Sequence, residues 1–452
     1  MNPELQRNLW LEASPFRLTL IAGLVLLVFA ATAVAPIGLA TPSGAGLALY
    51  WFFAVLWGTR SAALSVVAEI RERTWDSQKL SSIGPWEMMW GKLFGATAAN
   101  WFGALLCLPF ILAPAWREQG AVSAAVYGAI LLALGVFAQS VALLSSLSLI
   151  RRNTGNWRLD TFLCQVAGIA AAFAYYSLWS SISAFARSGE QSLVWWGHDF
   201  NLSSFHLVSL LLFLGWALVG CWRAMRAELR FANGPFVWLA YLAYLCIYDA
   251  GFESWIAARA PLLMPAGASP ALHDAVLRLA LAGFALMVSV YGMVFLEPKD
   301  PVRLRWLGEQ ACGGQFAKAF LSLDAWMLSY AATLIAGLLL AALLALDGST
   351  IGAVRLSSLA LPVLAMLGFL TRDVAIFVLM RGLAGGKGDF AALAMLGALY
   401  LLLPMILNGL QLRGLDFLFL PSFAGVLGVV VAWGQGVIVA FWAARRIART
   451  PR

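Results

Sequence analysis

Apolar stretches of about 20 residues alternate along this chain with short polar segments. A helix rises ~1.5 Å per residue, so about 20 apolar residues cross the ~30 Å hydrocarbon core of a bilayer. The pattern predicts an all-α polytopic membrane protein with about twelve transmembrane helices, of which the seventh is the shortest. The predicted spans are residues 17–37, 45–67, 90–112, 121–150, 161–184, 205–224, 235–251, 275–296, 324–346, 356–380, 390–412 and 419–444.

Two parts of the chain repeat one another at a distance of 220 residues. Pro15 opens the first apolar stretch and Pro235 opens the seventh, while Trp222 ends the sixth and Trp442 ends the twelfth. We interpret the repeat as two parallel six-helix units, an arrangement in which substrate paths usually lie between the copies. The predicted repeats are residues 1–230 and 231–452. This organisation favours transport as the function.

Lysine and arginine residues are concentrated on one side of the predicted membrane. With the N-terminus inside, 22 of the 30 basic residues fall in inner segments, six in outer segments and two within spans. Cytoplasmic loops carry this kind of excess. We therefore predict a bacterial inner-membrane protein with both termini in the cytoplasm. Because topology explains the formal net charge of +8, no nucleic-acid partner is expected.

Composition supports a lipid environment. The chain is 62% hydrophobic and 12% charged, more apolar than a soluble protein can bury. The first apolar stretch also resembles a signal peptide, but Glu4 and Glu12 precede it and it continues to about Ile37. We favour a retained span over a cleaved leader. Residues 2–16 fit an amphipathic helix along the inner membrane surface.

The first inner loop mixes charged and apolar residues at helical spacing. We predict one amphipathic helix over residues 68–80, with Ile70, Trp75 and Leu80 on its apolar side. Gly84 and Pro85 would end it, because proline lacks an amide donor and disfavours helix in the residue before it.

This loop resembles the membrane subunits of ABC-2-type exporters. Glu69 matches the acidic residue that begins their pattern, Thr74-Trp75-Asp76 stands where Thr-Leu-Glu is expected, and Gly91-Lys92 matches its closing Gly-Lys. The close match covers about two dozen residues. The departures are Arg73 in place of glycine, Gln78-Lys79 in place of two leucines, and Ser82 in place of proline.

The resemblance implies that the loop is a coupling helix seated in a groove of a cytoplasmic ABC ATPase, with two ATPase copies for each fused pair of units. ATP and Mg would be bound by that partner, because this chain has no P-loop and no cofactor is expected in it. The second unit offers a degenerate equivalent. The predicted ATPase-coupling residues are Glu69, Arg71, Glu72, Arg73, Thr74, Trp75, Asp76 and Lys79, with Glu297, Arg303 and Arg305 in the second loop.

Charges inside predicted spans are functional candidates, because they are costly in a membrane. They are Arg60, Arg372 and Asp373. Neighbouring helix positions point in different directions, so we expect Arg372 and Asp373 to pair with other spans. Arg60 would pair with Asp373 or Glu253, and structural pairing is favoured over substrate contact. Neither catalytic nor metal-binding residues are predicted, since the cysteines and histidines lack ligand spacing.

The sequence leaves several alternatives open. The first loop is otherwise a solvated amphipathic helix with no partner. A secondary transporter of the major-facilitator type also has two six-span halves, although its first inner loop is a short turn. A lipid-modifying enzyme would need acids, histidines or serines clustered at one membrane depth. The leading prediction is the permease of an ATP-driven exporter that contacts membrane lipid and moves an unidentified amphipathic or hydrophobic substrate.

Overall fold

The computed structural model describes residues 2–34, 41–150, 157–186, 192–231, 233–259, 270–347, 350–351, 354–421 and 424–449. Helices form nearly all of the regular structure in these ranges. The α-helices are α1 Pro3–Glu12, α2 Pro15–Val34, α3 Pro42–Tyr50, α4 Gly58–Arg71, α5 Trp75–Lys79, α6 Pro85–Trp90, α7 Ala98–Gln119, α8 Ala121–Ile150, α9 Trp157–Ala186, α10 Leu202–Glu228, α11 Phe236–Ala250, α12 Glu253–Arg259, α13 Pro270–Leu296, α14 Pro301–Cys312, α15 Phe316–Leu321, α16 Ala325–Leu346, α17 Ala360–Ala384, α18 Gly388–Gly397, α19 Leu403–Gly409 and α20 Gly425–Ala448.

The remaining elements are short. Two two-stranded sheets are present in the described ranges. The strands are β1 Ser192–Trp195, β2 His198–Asn201, β3 Thr350–Ile351 and β4 Val354–Arg355. The π-helical segments are Trp51–Trp57, Gly91–Gly95 and Ala398–Leu402, and the 3-10 segments are Leu356–Leu359, Gly385–Lys387 and Arg413–Leu418.

Eleven helical segments of the described chain are long and apolar enough to cross a membrane. They correspond to every predicted span except the seventh, and the all-α polytopic fold is confirmed. The seventh prediction, residues 235–251, becomes α11, which has only 15 residues. At ~1.5 Å per residue it is about 22 Å long, shorter than the hydrocarbon core. A turn at Gly251 and Phe252 separates it from α12.

The chain forms two compact units. The first unit comprises Met1–Leu193 and Phe200–Asn233, and the second comprises Val194–Asp199 and Gly234–Arg452. In the first unit α8 is central and packs against α4, α9 and α10. In the second unit α17 is central and packs most closely against α20.

Small residues allow the central helices to approach their neighbours closely. A Cβ atom at Gly368 of α17 would lie 2.8 Å from the Ala432 carbonyl carbon of α20. In the first unit, a Cβ atom at Gly168 of α9 would lie 2.6 Å from the Ala138 carbonyl oxygen of α8. Helices in lipid associate mainly through such packing, because lipid tails are as apolar as the side chains they replace.

A π-helical turn interrupts the helix formed by α3 and α4, and side chains of other helices satisfy the carbonyls around it. The Gln139 side chain is fully buried, donates to the Ala54 carbonyl at 2.8 Å and accepts from the Trp101 indole at 2.9 Å. Gln165 donates to the Leu56 carbonyl at 3.0 Å. Gln139 thus has a packing role, since a Cβ atom at Gly58 would collide with its amide.

The tip of the β1–β2 hairpin belongs to the second unit and caps the end of α11. The Trp195 and Trp196 indoles donate to the Tyr248 and Ile247 carbonyls at 3.0 and 3.1 Å. The Trp196 amide donates to the Gly251 carbonyl at 2.9 Å. The last carbonyls of a helix lack partners within it, so these bonds complete the end of α11.

Candidate functional site

The first inner loop does not form the single helix predicted over residues 68–80. Helix α4 ends at Arg71, and the chain turns back before the five-residue α5 begins at Trp75. The Thr74 amide donates to the Glu69 carbonyl, and the Arg73 amide donates to the Ile70 carbonyl. This bond pair is a Schellman motif, whose turning residue adopts a positive φ. Arg73 occupies that position at φ 59°, and the turn therefore breaks the predicted helix.

Trp75 anchors α5 to the first unit. Its side chain is 4% exposed and belongs to a core cluster with Met88, Met89 and Leu93. The two other residues of the predicted apolar side, Ile70 and Leu80, are exposed. The buried indole therefore provides the apolar attachment of α5.

The polar and charged residues around the turn form an exposed surface, which we call the loop surface. It consists of Arg71, Glu72, Arg73, Thr74 and Asp76. The Asp76 side chain is 90% exposed. Lys79, beside this surface, forms ion pairs with Asp76 at 3.5 Å and Glu228 at 3.6 Å. The loop surface combines both signs of charge, which suits it to a partner with a complementary pattern.

Glu69 lies inside the protein, next to a fully buried lysine. The ammonium of Lys92 contacts the Glu69 carboxylate and lies 3.3 Å from the Glu4 carboxylate. It also donates to the Gln78 side chain at 3.1 Å and to the Ser65 carbonyl at 3.4 Å. We call this group, completed by Arg7 and Asn8, the Lys92 cluster.

Arg7 and Asn8 complete the Lys92 cluster from the N-terminal helix. Arg7 donates to Glu69 at 2.6 Å and pairs with Glu4 at 3.5 Å. Asn8 donates to Glu4 at 3.0 Å and to the Gly91 carbonyl at 3.2 Å. Two carboxylates thus balance two cations. A buried ion cluster needs this balance, because an unpaired buried charge is strongly destabilising.

The Lys92 cluster places Glu69 differently from the sequence analysis, which grouped it with surface residues that contact an ATPase. Glu69 is 7% exposed and faces the interior of the first unit. Lys92 belongs to the predicted loop motif and Glu4 to the segment before the first span, and neither was predicted to form a site. The four-residue spacing of Glu4 and Asn8 was the available signal, since it places both on one face of a helix.

Helix α1 presents a polar face to the protein and an apolar face outward. Glu4 and Asn8 are buried, whereas Trp10 and Leu11 are 82% and 65% exposed. A soluble helix would have the opposite arrangement. The exposed aromatic and aliphatic side chains fit contact with lipid, as expected for an interfacial helix.

The second inner loop has a different construction. The Asp300 side chain caps α14 by accepting from the Val302 amide at 3.0 Å. Arg303 pairs with Asp324 at 2.9 Å, and Arg305 with Glu309 at 3.5 Å. The twelve-residue α14 replaces the compact turn of the first loop.

Behind this helix, Glu297 and Lys299 are used for internal contacts. Glu297 accepts a hydrogen bond from the Trp326 amide at 3.0 Å, which caps the start of α16. Lys299 is 1% exposed and forms an ion pair with Asp389 at 2.9 Å. Each unit therefore buries a lysine–carboxylate pair among its predicted inner segments.

Arg372 and Asp373 each contact other predicted spans, as expected, but they also pair with each other, which the sequence did not predict. The flexible Arg372 side chain folds back, and its Nε atom donates to Asp373 at 3.0 Å. Asp373 also accepts from the Tyr291 and Tyr400 hydroxyls at 2.8 and 2.7 Å, while Arg372 donates to Gln435 at 2.9 Å. This Asp373 network joins α13, α17, α20 and the π-helical segment containing Tyr400.

The predicted partners of Arg60 have other contacts. Glu253 forms an ion pair with Arg278 at 3.1 Å in the second unit. Asp373 is fully buried and occupied by its own network. Arg60 itself is exposed. Its long side chain therefore has access to surroundings outside the helix packing, where a basic residue near lipid reaches toward polar groups.

No protein-family model, curated protein or solved structure matches this chain. The functional conclusion therefore rests on its helices and inner loops. Eleven apolar helices in the described ranges indicate a multi-pass membrane protein, and membrane transport of some kind is the function that this architecture favours.

Proposed function

We propose that this protein is the permease subunit of an ATP-driven ABC exporter, with two six-span units in one chain. A separate cytoplasmic ATPase, in two copies, binds ATP and Mg and drives transport. The cargo is amphipathic or hydrophobic, because the predicted outer loops are short and the helices offer mostly apolar surface. The observation that carries this proposal is the first inner loop, which exposes charges on a turn anchored within the first unit.

The loop surface has two properties that a coupling element needs. Its exposed side chains offer a patterned set of charges to a soluble partner, and such patterns determine partner choice. Its base is fixed by the buried Trp75 and Glu69, so pressure on the surface reaches α4 and the start of the third predicted span. A loop that was merely solvated would not be expected to bury the Glu69 carboxylate, because burial of charge is costly.

The contact with the ATPase belongs to the turn and α5, with Arg73 and Asp76 at its centre. Glu69 and Trp75 act from below by holding the loop in shape. In the second unit, Arg303 and Arg305 form the corresponding inner surface on α14, but their ion pairs with Asp324 and Glu309 reduce the charge available to a partner. The two ATPase contacts are therefore unequal.

Purification of the full chain from its native membrane tests this proposal. A stoichiometric P-loop ATPase should accompany the wild-type chain in mild detergent. Reversing charges on the loop surface, with Arg73→Glu and Asp76→Lys, should reduce the retained ATPase at least about tenfold, as expected when complementary charges become like charges. Because the Asp76 side chain is 90% exposed, D76K should leave the fold intact.

Asp199→Lys provides the matched control. Asp199 is exposed in the β1–β2 hairpin on the predicted outer side, and its reversal should leave ATPase retention unchanged. A wild-type chain that purifies alone and moves solutes in liposomes with an ion gradient, without ATP, would overturn the proposal. That result would favour the secondary transporter.

A further inference from the structure

The Lys92 cluster connects four segments that are distant in sequence. Lys92 lies in the π-helical segment that precedes α7, Glu4 in α1, Glu69 in α4 and Gln78 in α5. Its ammonium contacts each of the other three within 3.3 Å. A lysine has three N–H donors and no acceptor. Because Lys92 is completely shielded from water, protein groups alone satisfy those donors.

The backbone around Lys92 is shaped to bring α1 against it. A Cβ atom at Gly91 would lie 2.5 Å from Glu4 Cγ, and one at Gly95 would lie 2.6 Å from Asn8 Cβ. Helix α1 therefore crosses directly over the π-helical segment, where only glycine leaves room. The Asn2 side chain adds a second attachment by donating to the Glu87 carbonyl of α6 at 2.6 Å.

Trp75 completes the connection from the loop side. Its ring centroid lies 5.1 Å from the Lys92 ammonium and 5.7 Å from the Lys79 ammonium. Cations at this distance from an indole are attracted to the face of the ring. Lys92 thus touches the loop at Glu69, Trp75 and Gln78, which lie before, at the start of and within α5.

We propose that Lys92 is the positioning residue that makes α1, the first inner loop and the start of the third predicted span move as one body. A displacement of the loop surface is then passed to the span through the buried ion cluster. This inference rests on the proposed function, since it concerns how force applied by the ATPase enters the membrane. Without Lys92 the ATPase still binds the loop surface, but the span no longer follows the loop.

The first test measures amide hydrogen exchange along the full chain in lipid nanodiscs. Lys92→Met should accelerate exchange by roughly tenfold or more in both residues 3–12 and residues 69–80. The reason is that loss of one partner of a buried ion pair destabilises the segments that the pair connects. Lys92→Arg should restore slow exchange. Residues 301–312 of α14 serve as the internal control and should not change. Faster exchange limited to residues 85–97, or none, would overturn the inference.

The second test measures transmission in the complex with the co-purified ATPase. Trapping with ATP and vanadate should change exchange in wild-type residues 69–80 and in residues 85–97. In Lys92→Met the change should remain in the loop and disappear from residues 85–97, while ATPase stoichiometry stays the same. If Lys92 only stabilised the fold, its loss would not abolish the response of residues 85–97 while leaving that of residues 69–80. Lys92→Arg should restore the response of residues 85–97.

The outcomes separate the inference from the proposed function. A wild-type chain without an ATPase would overturn the proposed function, whatever the first test gives. An ATPase complex in which Lys92→Met still transmits the change would overturn only the inference. If Lys92→Met does not fold, the double variant Glu69→Gln/Lys92→Met removes one charge of each sign and leaves Arg7 paired with Glu4. The same loss of transmission is expected from it, and normal transmission would again overturn the inference.

Discussion

At the residue scale, two buried lysines are paired with carboxylates, each in a different way. Lys92 shares its ammonium between Glu4 and Glu69, whereas Lys299 pairs with Asp389 and donates to the Val294 and Glu297 carbonyls. Buried ion pairs contribute little net stability, although breaking one by removing a partner costs about 3–5 kcal/mol. We interpret both lysines as residues that specify which segments meet.

In the Asp373 network, the cost of removing one partner of a buried ion pair can be compared directly with the cost of removing both. Asp373→Asn should lower the free energy of unfolding by about 3–5 kcal/mol, because it leaves the Arg372 guanidinium buried without its carboxylate. The double variant Arg372→Met/Asp373→Asn should recover much of the loss, since no charge then remains. Thermal unfolding in detergent, followed by tryptophan fluorescence, measures both. A double variant less stable than Asp373→Asn alone would contradict this account.

The tyrosine hydroxyls of the same network have a smaller predicted effect. Tyr291→Phe and Tyr400→Phe each remove one donor to Asp373 and should each cost about 1.5–3 kcal/mol, the range for a hydrogen bond to a charged group. Tyr176→Phe is the matched control, because Tyr176 is 49% exposed. It should change stability by less than about 0.5 kcal/mol. Equal effects of all three variants would argue against the network.

At the element scale, three helix ends on the predicted inner side share one geometry. Helices α4, α10 and α14 all end in a Schellman motif, with Arg73, Arg230 and Gly314 at the turning position. Glycine suits the positive φ because it has no Cβ atom. Arginine is strained there, although its charge is favourable near a helix C-terminus. A glycine in place of Arg73 would adopt this positive φ without the strain of a side chain.

Replacing the strained arginine should stabilise the loop. Arg73→Gly should increase the free energy of unfolding by about 1 kcal/mol, the approximate cost of a left-handed conformation for a residue with a side chain. Gly314→Arg makes the reverse change in α14 and should lower stability by a similar amount. Thermal unfolding of the two variants beside the wild type provides the comparison. A loss of stability in Arg73→Gly would show that contacts of the Arg73 side chain outweigh its strain.

The crossing of α1 and the π-helical segment has a strict spatial requirement. Gly91→Ala should displace α1 and cost about 1–3 kcal/mol, because the added Cβ atom would approach both Glu4 and the Leu5 backbone. Faster proteolytic cleavage near residues 3–12 would report the displacement. Gly84→Ala is the control, since no atom lies within 4 Å of its added Cβ and its φ is −69°. Similar cleavage of both variants would contradict the close crossing.

On the scale of the whole molecule, the distribution of basic residues predicts which loops face the cytoplasm. In a Cys312→Ser background, which removes the exposed cysteine, Asp199→Cys should react with a membrane-impermeant maleimide in intact cells. Asp76→Cys should react only after the membrane is permeabilised, because its loop lies on the predicted inner side. Labelling of Asp76→Cys in intact cells would show that the orientation is opposite to the one predicted.

The sequence alone determined the membrane character and the positions of most spans. About 20 apolar residues in a row have few alternatives to a membrane-crossing helix, so hydropathy located eleven of the twelve segments without knowledge of their neighbours. The seventh predicted segment, residues 235–251, coincides with α11, but α11 has only 15 residues and is shorter than the other spans. The loop between the second and third spans was predicted to be amphipathic and helical, but the turn at Arg73 that divides it was not predicted.

Which charges meet depends on the tertiary structure. Helical spacing placed Arg372 and Asp373 on different faces, yet a flexible arginine side chain reaches its neighbour while two tyrosines approach from other segments. Glu4, Glu69 and Lys92 are up to 88 residues apart, and their pairing depends on α1 crossing over two glycines. Local pattern determines each helix because its hydrogen bonds are local. Contacts between helices depend on packing in three dimensions, which no single segment encodes.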